Sequence, residues 1–341
     1  MKLWRIETGP GLKNLTQRAA DRPEPGPGEV LVRMGAASLN FRDTMVANGI
    51  YGGAQVWPLV PLSDGAGVVE AVGPGVTRCV PGDRVTPCFH QTWEAGAPDY
   101  PRLSHSLGAG GVPGVAAEYC VFREGGLVAT PDHLSDVEAA AFPCAGVTAW
   151  SALTGDMPAM PGDTVLIQGT GGVSVFALQF AHAMGMRTIV TSSSDAKLAR
   201  ARELGADDTI NYKTTPKWAK AALELTGGRG VDHIIEVGGA GTMEQSLKAV
   251  RIGGRIAVIG VLSGAQSEVM IPMMLLKHIR MQGITVGSRD EHEQMNRFVL
   301  HRQMAPVVDE SVFGFDSLPD AYGHMLSRKH FGKICVDFAR K

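Results

Sequence analysis

Thr164-Val165-Leu166-Ile167-Gln168-Gly169-Thr170-Gly171-Gly172-Val173-Ser174 is the stretch whose reading decides the fold. A run of β-branched and apolar residues enters a glycine turn, and an apolar helical pattern continues to Ala183. This is strand, tight turn, helix. Gly169 permits the sharp turn, and Gly171 lets backbone amides approach a pyrophosphate at the positive end of the helix. Ser174 takes the third place of the G-x-G-x-x-G pattern and is small enough to keep helix and strand close.

Glycine turns of this kind are common, so the surroundings carry the reading. A second strand, Arg187–Thr191, ends at Ser192-Ser193-Ser194, about 20 residues past the turn. An acidic residue there would hold the ribose of NAD, and none is present. Strand and helix units then alternate: Lys197–Leu204, Thr209–Tyr212, Trp218–Thr226, His233–Val237, Met243–Val250 and Arg255–Gly260. The strands read as continuous apolar runs, as expected when both faces of a parallel sheet are covered. The pattern predicts an α/β, doubly wound dinucleotide-binding domain.

A chain of 341 residues favours two domains. Its 44% apolar and 19% charged content suits a globular enzyme. A net charge of −2 supplies no attraction for nucleic acid or anionic membrane. No run reaches membrane-spanning length, and Met1–Glu7 lacks the apolar stretch of a signal peptide. Five scattered cysteines fit reduced thiols, so a cytoplasmic location is expected.

Residues up to about 130 differ from the middle. Val30–Met34, Asp64–Gly73 and Pro81–Val85 are short strands punctuated by Gly and Pro, which predicts a compact, mostly β domain. Phe89–Pro113 carries little periodicity and reads as a functional or a mobile loop. Beyond Gly260 come the methionine-rich patch Met270–Leu276, a strand Met281–Gly287, helices at His292–Gln303 and Ala321–Leu326, and a last strand Lys333–Phe338. The expected division is 1–130 completed by 270–341, with the dinucleotide domain at 131–269.

Taken together these residues resemble the medium-chain dehydrogenase/reductase superfamily, in the branch of zinc-independent NADPH:quinone oxidoreductases. The markers are Leu39-Asn40-Phe41-Arg42-Asp43, Gly65-Ala66-Gly67-Val68-Val69, Pro81-Gly82-Asp83-Arg84-Val85, Gly146-Val147-Thr148-Ala149-Trp150, the glycine turn and Gly332-Lys333, in this order. The resemblance implies a GroES-like N-terminal domain completed by the tail, a Rossmann domain, and an active site in the cleft. Zinc-dependent relatives carry a ligand cysteine where this chain has Asn40, and a Gly-His-Glu motif where it has Leu62-Ser63-Asp64. Only Cys144 matches a zinc-ligand position, and Phe89–Pro113 contains no cysteine, so no metal is expected. Cys88 and His90 lack a partner pair for a metal site.

The chemistry that remains is hydride transfer from NADPH to a quinone or an α,β-unsaturated carbonyl, with donors stabilising the developing oxyanion. By resemblance Tyr51, Asn40, Asp43 and Asp64 line the site. Asp43 and Asn40 also fit a helix cap and a turn, and Asp64 fits a residue that only holds its turn. Candidate cofactor residues are Thr148, Gly169, Thr170, Gly171, Gly172, Val173, Ser192, Ser193, Ser194, Lys197, Tyr212, Val237, Gly238, Val261 and Lys333. The serines and Lys197 favour NADPH over NADH, although the serines would equally cap the next helix. Met270, Met273 and Met274 read as core, and His105, Trp93 and Tyr100 as residues over the substrate. A homodimer is expected through the edge strand near Ile284. The alternatives are a zinc-type alcohol dehydrogenase and a non-enzymatic, crystallin-like or sensor protein that binds NADPH.

Overall fold

The computed structural model describes residues 1–340 and divides the chain into two compact units, Met1–Val147 with Val286–Lys341, and Thr148–Thr285. Both boundaries lie later in the chain than the expected 130/131 and 269/270. The segment after 130 packs on the first unit: the Ser38 hydroxyl donates to Ala140 O at 2.7 Å, and helix Asp136–Ala139 is capped by Ser135. Among the described residues no helix is long and apolar enough to cross a membrane.

The second unit is a six-stranded parallel sheet of β1 (Thr164–Gln168), β2 (Arg187–Ser192), β3 (Asp208–Asn211), β4 (Val231–Glu236), β5 (Val250–Val258) and β6 (Arg280–Gly283). Its order is β3-β2-β1-β4-β5-β6, with every neighbouring pair parallel. All residues of β1 and β4 are buried, so the apolar centres at 165–167 and 234–235 are joined inside the sheet by polar Gln168, Asp232, His233 and Glu236. Strand order reverses between β1 and β4, the switch point where such sheets bind ligands at their carboxyl ends. The core beneath contains Leu166, Ile189, Ile234 and Ile256, with Met273 and Met274 packed against it. Met270, grouped with those two in the sequence, is instead half exposed.

In this unit two boundaries differ most from the sequence reading. β5 begins at Val250 rather than Arg255, because its glycine-rich start still follows the sheet. The last strand ends at Gly283, and Val286 adopts a left-handed φ of 65° that no ladder accommodates.

In the first unit a seven-stranded sheet runs through Phe313–Gly314, Cys335–Asp337, Glu29–Ser38, Asp64–Val72, Arg84–Pro87 and Leu127–Ala129, with Tyr119–Arg123 also pairing on Glu29–Ser38. Strand Glu29–Ser38 is central, and its register sets the site. Ser38 lies opposite Cys335 on one side and Asp64 on the other, both antiparallel. Continuing that register by two residues brings Lys333 beside Asn40. The C-terminal tail therefore supplies a side chain to a cluster whose other side chains come from residues 40, 63 and 64.

Segment 89–113 is folded rather than irregular. It contains helix Tyr100–Leu103 and the bridges His90–Ser106 and Ala109–Val112. Its far end braces the turn before Asp64, since Gly114 N donates to Val60 O at 2.8 Å and Val115 N to Leu62 O at 3.0 Å. A Cβ on Gly114 would stand 2.0 Å from Leu62 O and 2.3 Å from Pro61 O, so only glycine fits.

Candidate active site

Asn40 follows the central strand and caps helix Phe41–Ala47 in extended backbone. Asp43, three residues on, accepts from Asn40 N at 2.8 Å and completes the acidic half of a capping box. Leu62, Ser63 and Asp64 enter the neighbouring strand, and buried Leu62 takes a left-handed φ of 70°. That conformation costs a branched residue on the order of 1–3 kcal/mol. The bracing by segment 108–115 holds it there and directs Ser63 and Asp64 inward.

The ammonium of Lys333 lies at the centre of this group. Lys333 is 2% exposed, and its Nζ donates to Asn40 Oδ1 at 2.6 Å and Leu39 O at 2.9 Å, with Asp64 Oδ2 at 3.4 Å. Asp64 is fully buried and also accepts from Ser63 Oγ at 2.7 Å and Cys144 N at 3.1 Å. Asn40 Nδ2 approaches Ser63 Oγ at 3.4 Å. Ser63, Asp64 and Lys333 are buried, whereas Asn40 and Cys144 are half-buried. Sequence reading placed Lys333 among the cofactor residues; its ammonium is occupied by Leu39, Asn40 and Asp64.

A zinc ion does not fit this donor set. Catalytic zinc takes about three ligands from imidazole, thiolate and carboxylate. Here the positions hold an amide, a hydroxyl, a carboxylate already shared among three donors, and one thiol. Burial, reinforced by Asp64, pushes the Cys144 thiol far up, away from the thiolate a metal needs. Among the described residues no group of three or more His, Cys, Asp or Glu is arranged to hold a metal. Cys88, near His292 Nδ1 at 3.9 Å, is pushed up to about 12 by burial.

Asp43 joins this cluster to a second one. Its Oδ1 lies 3.3 Å from Nη1 of Arg42, which also donates to Leu107 O at 2.8 Å. The Arg42 guanidinium sits over the Tyr51 ring at 4.7 Å and the Phe89 ring at 4.8 Å. Tyr51 packs against Val46, Leu59 and Ala109 and is half-buried. Arg42 Nε and Nη2 are buried without a hydrogen-bond partner, as is the hydroxyl of Tyr322. Burial outweighs the Arg42 charge at Asp43 and raises its carboxyl to about 6. Neither Arg42 nor Tyr322 was a sequence candidate; the only available signal for Arg42 was its place between Asn40 and Asp43. Of the loop residues expected over a substrate, Trp93 is buried with Nε1 donating to Gly96 O at 2.9 Å, while Tyr100 and His105 are exposed.

In the second unit the glycine turn is suited to a dinucleotide. Gly169 has φ 75°, and a Cβ on Gly171 would meet nothing within 4 Å, leaving open space at the start of helix Gly172–Ala183. Thr170, Gly172 and Val173 belong to the same turn, whose first amides have no partner within the helix. Ser174 Oγ donates to Gln168 O at 2.6 Å and stitches helix to strand. At the end of β2, Ser192 is buried and its carbonyl accepts from Tyr212 N at 3.0 Å. Ser194 caps the helix Asp195–Glu203, so its capping role is realised, and Ser193 and Lys197 are half-buried beside it.

Past β4, the carboxylate of Glu236 accepts from Gly238 N and Gly239 N, both at 2.9 Å, from Gln168 Nε2 at 2.6 Å, and from Ser246 Oγ. It thereby fixes the backbone beside Val237 and Gly238. Val261 is exposed on the following loop, and Thr148 is buried at the start of the unit.

Two family models match the chain: an alcohol dehydrogenase GroES-like domain over residues 26–132 and a zinc-binding dehydrogenase over residues 172–301. The chain is 43% identical to a zinc-type alcohol dehydrogenase-like protein of Schizosaccharomyces pombe, over 91% of each chain. It is 36% identical to a quinone oxidoreductase of Pseudomonas aeruginosa, covering 78% of this chain and 75% of that one. Among solved structures, an NAD-dependent alcohol dehydrogenase superposes with a TM-score of 0.89 at 35% identity, over 99% of both chains. The comparisons thus carry the expected GroES-like and Rossmann folds, but they do not single out the quinone branch.

The Asp43 environment sets a stability test. Its folded value of about 6 exceeds the ordinary 3.8, so the native chain keeps a proton that the unfolded chain releases between those values. The contribution is full below pH ~4 and is lost as pH rises through ~6. Asp43→Asn should remove a decline on the order of 2–3 kcal/mol between pH 4 and 7, read by urea unfolding. An unchanged pH profile of stability would refute the assignment.

Proposed function

The chain belongs to the medium-chain dehydrogenase/reductase superfamily, among proteins like the zinc-type alcohol dehydrogenases, and from that premise we propose that it is an NADPH-dependent reductase working without a catalytic metal. That it is a nicotinamide-dependent oxidoreductase follows from the family. The metal-free reading rests on one observation, the Lys333 ammonium lodged among the positions that match zinc ligands.

A bound reduced nicotinamide supplies the hydride. Asn40 and Tyr51 donate hydrogen bonds to the substrate oxygen as negative charge develops there, and Asp43 holds the Asn40 backbone. An amide and a phenol polarise a carbonyl less than a divalent ion does, so the acceptor has to bring its own activation. This points to quinones and α,β-unsaturated carbonyls, whose added charge is delocalised. A second reading, reversible oxidation of simple alcohols, is favoured by the names of the similar proteins.

Elemental analysis of the purified protein, with turnover of NADPH against quinones, enones and simple aldehydes before and after chelator, tests the proposal. The expected result is no stoichiometric zinc, chelator-resistant turnover and conjugated acceptors preferred. About one zinc per chain, lost together with activity, would overturn it. In the same screen Tyr51→Phe should lower kcat on an enone roughly 10²-fold, the effect of one positioned donor, and an unchanged kcat would exclude the phenol.

The cofactor preference is also a proposal. No acid at 192–194 repels a 2′-phosphate; Ser194 caps the helix that carries Lys197, and Tyr212 N donates to Ser192 O at 3.0 Å. Lys197→Ala should weaken NADPH binding by about 1.5–3 kcal/mol with little change for NADH. Equal affinities for both cofactors in the parent protein would remove the assignment.

We propose in addition that the protein is a homodimer. Among the described residues β6 pairs only with β5, and Leu275 and Leu276 are exposed on the helix that precedes it. Sedimentation should give a dimer at micromolar concentration and a monomer for Ile284→Asp; a monomeric parent would end the proposal.

A further inference from the structure

We propose that Lys333 is a positioning residue that orients and polarises the Asn40 amide, making its Nδ2 group the principal hydrogen-bond donor to the substrate oxygen. This deepens the metal-free reading above and rests on it.

An ammonium has three donors and no acceptor, so the Asn40 atom 2.6 Å from Lys333 Nζ has to be the carbonyl oxygen. The orientation of this amide, which carbon, nitrogen and oxygen positions alone would leave ambiguous, is thus settled by chemistry. Asn40 Nδ2 then faces the other way. One of its hydrogens approaches Ser63 Oγ at a long 3.4 Å. That hydroxyl donates its own hydrogen to Asp64 Oδ1 at 2.7 Å, so it can only accept from Asn40. Among the described residues the second N–H of the amide has no protein partner, and Asn40 is half-buried while Ser63, Asp64 and Lys333 are not reached by solvent.

The electrostatics favour the same use. A positive charge at the oxygen end of an amide draws electrons from its nitrogen and strengthens the N–H as a donor, an effect that is larger where water is excluded. Asp64 Oδ2, 3.4 Å from the ammonium, and Leu39 O, 2.9 Å from it, hold the charge in place. When hydride adds to the electrophilic carbon, the C=O electron pair moves onto oxygen, directly in an aldehyde or through the conjugated system in an enone or quinone. The polarised N–H stabilises that oxyanion until a proton from the phenol or from solvent neutralises it. One hydride and one proton are consumed for each acceptor reduced.

The test is a double-mutant cycle on kcat/KM with menadione and 2-cyclohexen-1-one, accompanied by fluorescence titration of NADPH. Lys333→Met should lower kcat/KM roughly 10- to 100-fold and leave NADPH affinity within about 2-fold, which separates positioning from a cofactor contact. In an Asn40→Ala background the same change should cost less than about 3-fold, because Lys333 acts through Asn40. Lys333→Arg, which keeps the charge and a donor, should recover part of the activity. Should Lys333→Met fold poorly with Asp64 unpaired, Lys333→Met with Asp64→Asn removes both charges; its kcat/KM should fall by the same roughly 10- to 100-fold from the parent, and by less than about 3-fold in the Asn40→Ala background. Additive losses in the cycle, or a drop in NADPH affinity equal to the drop in kcat/KM, would overturn the inference while leaving metal-free turnover intact. Stoichiometric catalytic zinc would instead overturn the reading beneath it.

Discussion

A primary ammonium inside a protein is tolerable only when each of its hydrogens meets an acceptor, and Lys333 meets that condition with a backbone carbonyl, an amide oxygen and a carboxylate. Those acceptors come from the end of the central strand, the cap of the first long helix and the start of the neighbouring strand. Satisfying one charge therefore fixes three chain segments and orients the two polar side chains, Asn40 and Ser63, between them. Asp64 completes the arrangement as the carboxylate beside the ammonium.

The adjoining pair is less complete. Arg42 has Asp43 and Leu107 O on one nitrogen, but two further nitrogens are buried without partners. The faces of Tyr51 and Phe89 offset part of that deficit through their negative π clouds. The result binds three features together: the Tyr51 ring, the cap at Asn40, and segment 89–113. That segment is held by its Leu107 carbonyl, which accepts from Arg42 Nη1, and by Gly108, which lies against the backbone at Leu62.

The doubly wound unit was legible because its information is local. Buried parallel strands are written as apolar runs, and the turn between β1 and its helix needs glycine at one left-handed position. Boundaries were less legible where glycine blurs the pattern, as at Gly253 and Gly254 inside β5. Asn40, Asp43 and Asp64 could be picked out from a motif resemblance, but the role of Lys333 could not. The acid nearest to it in sequence, Asp337, belongs to the last strand and takes no part in the cluster, and only the antiparallel register of Cys335 with Ser38 brings Lys333 to Asn40. Arg42 escaped notice for a related reason, since an arginine in the first turn of a helix reads as solvated until the loop that covers it is placed.

The buried lysine also changes what would be required to give this scaffold a metal. Replacing Asn40 by cysteine and Ser63 by histidine would restore two ligands beside Cys144, yet the new ion would share its cavity with a monovalent cation. A divalent and a monovalent charge about 4 Å apart repel by roughly 8 kcal/mol at an effective dielectric of 20. That is enough to cancel much of the free energy with which such sites hold zinc. Any conversion into a metalloenzyme therefore has to begin at residue 333, near the end of the chain.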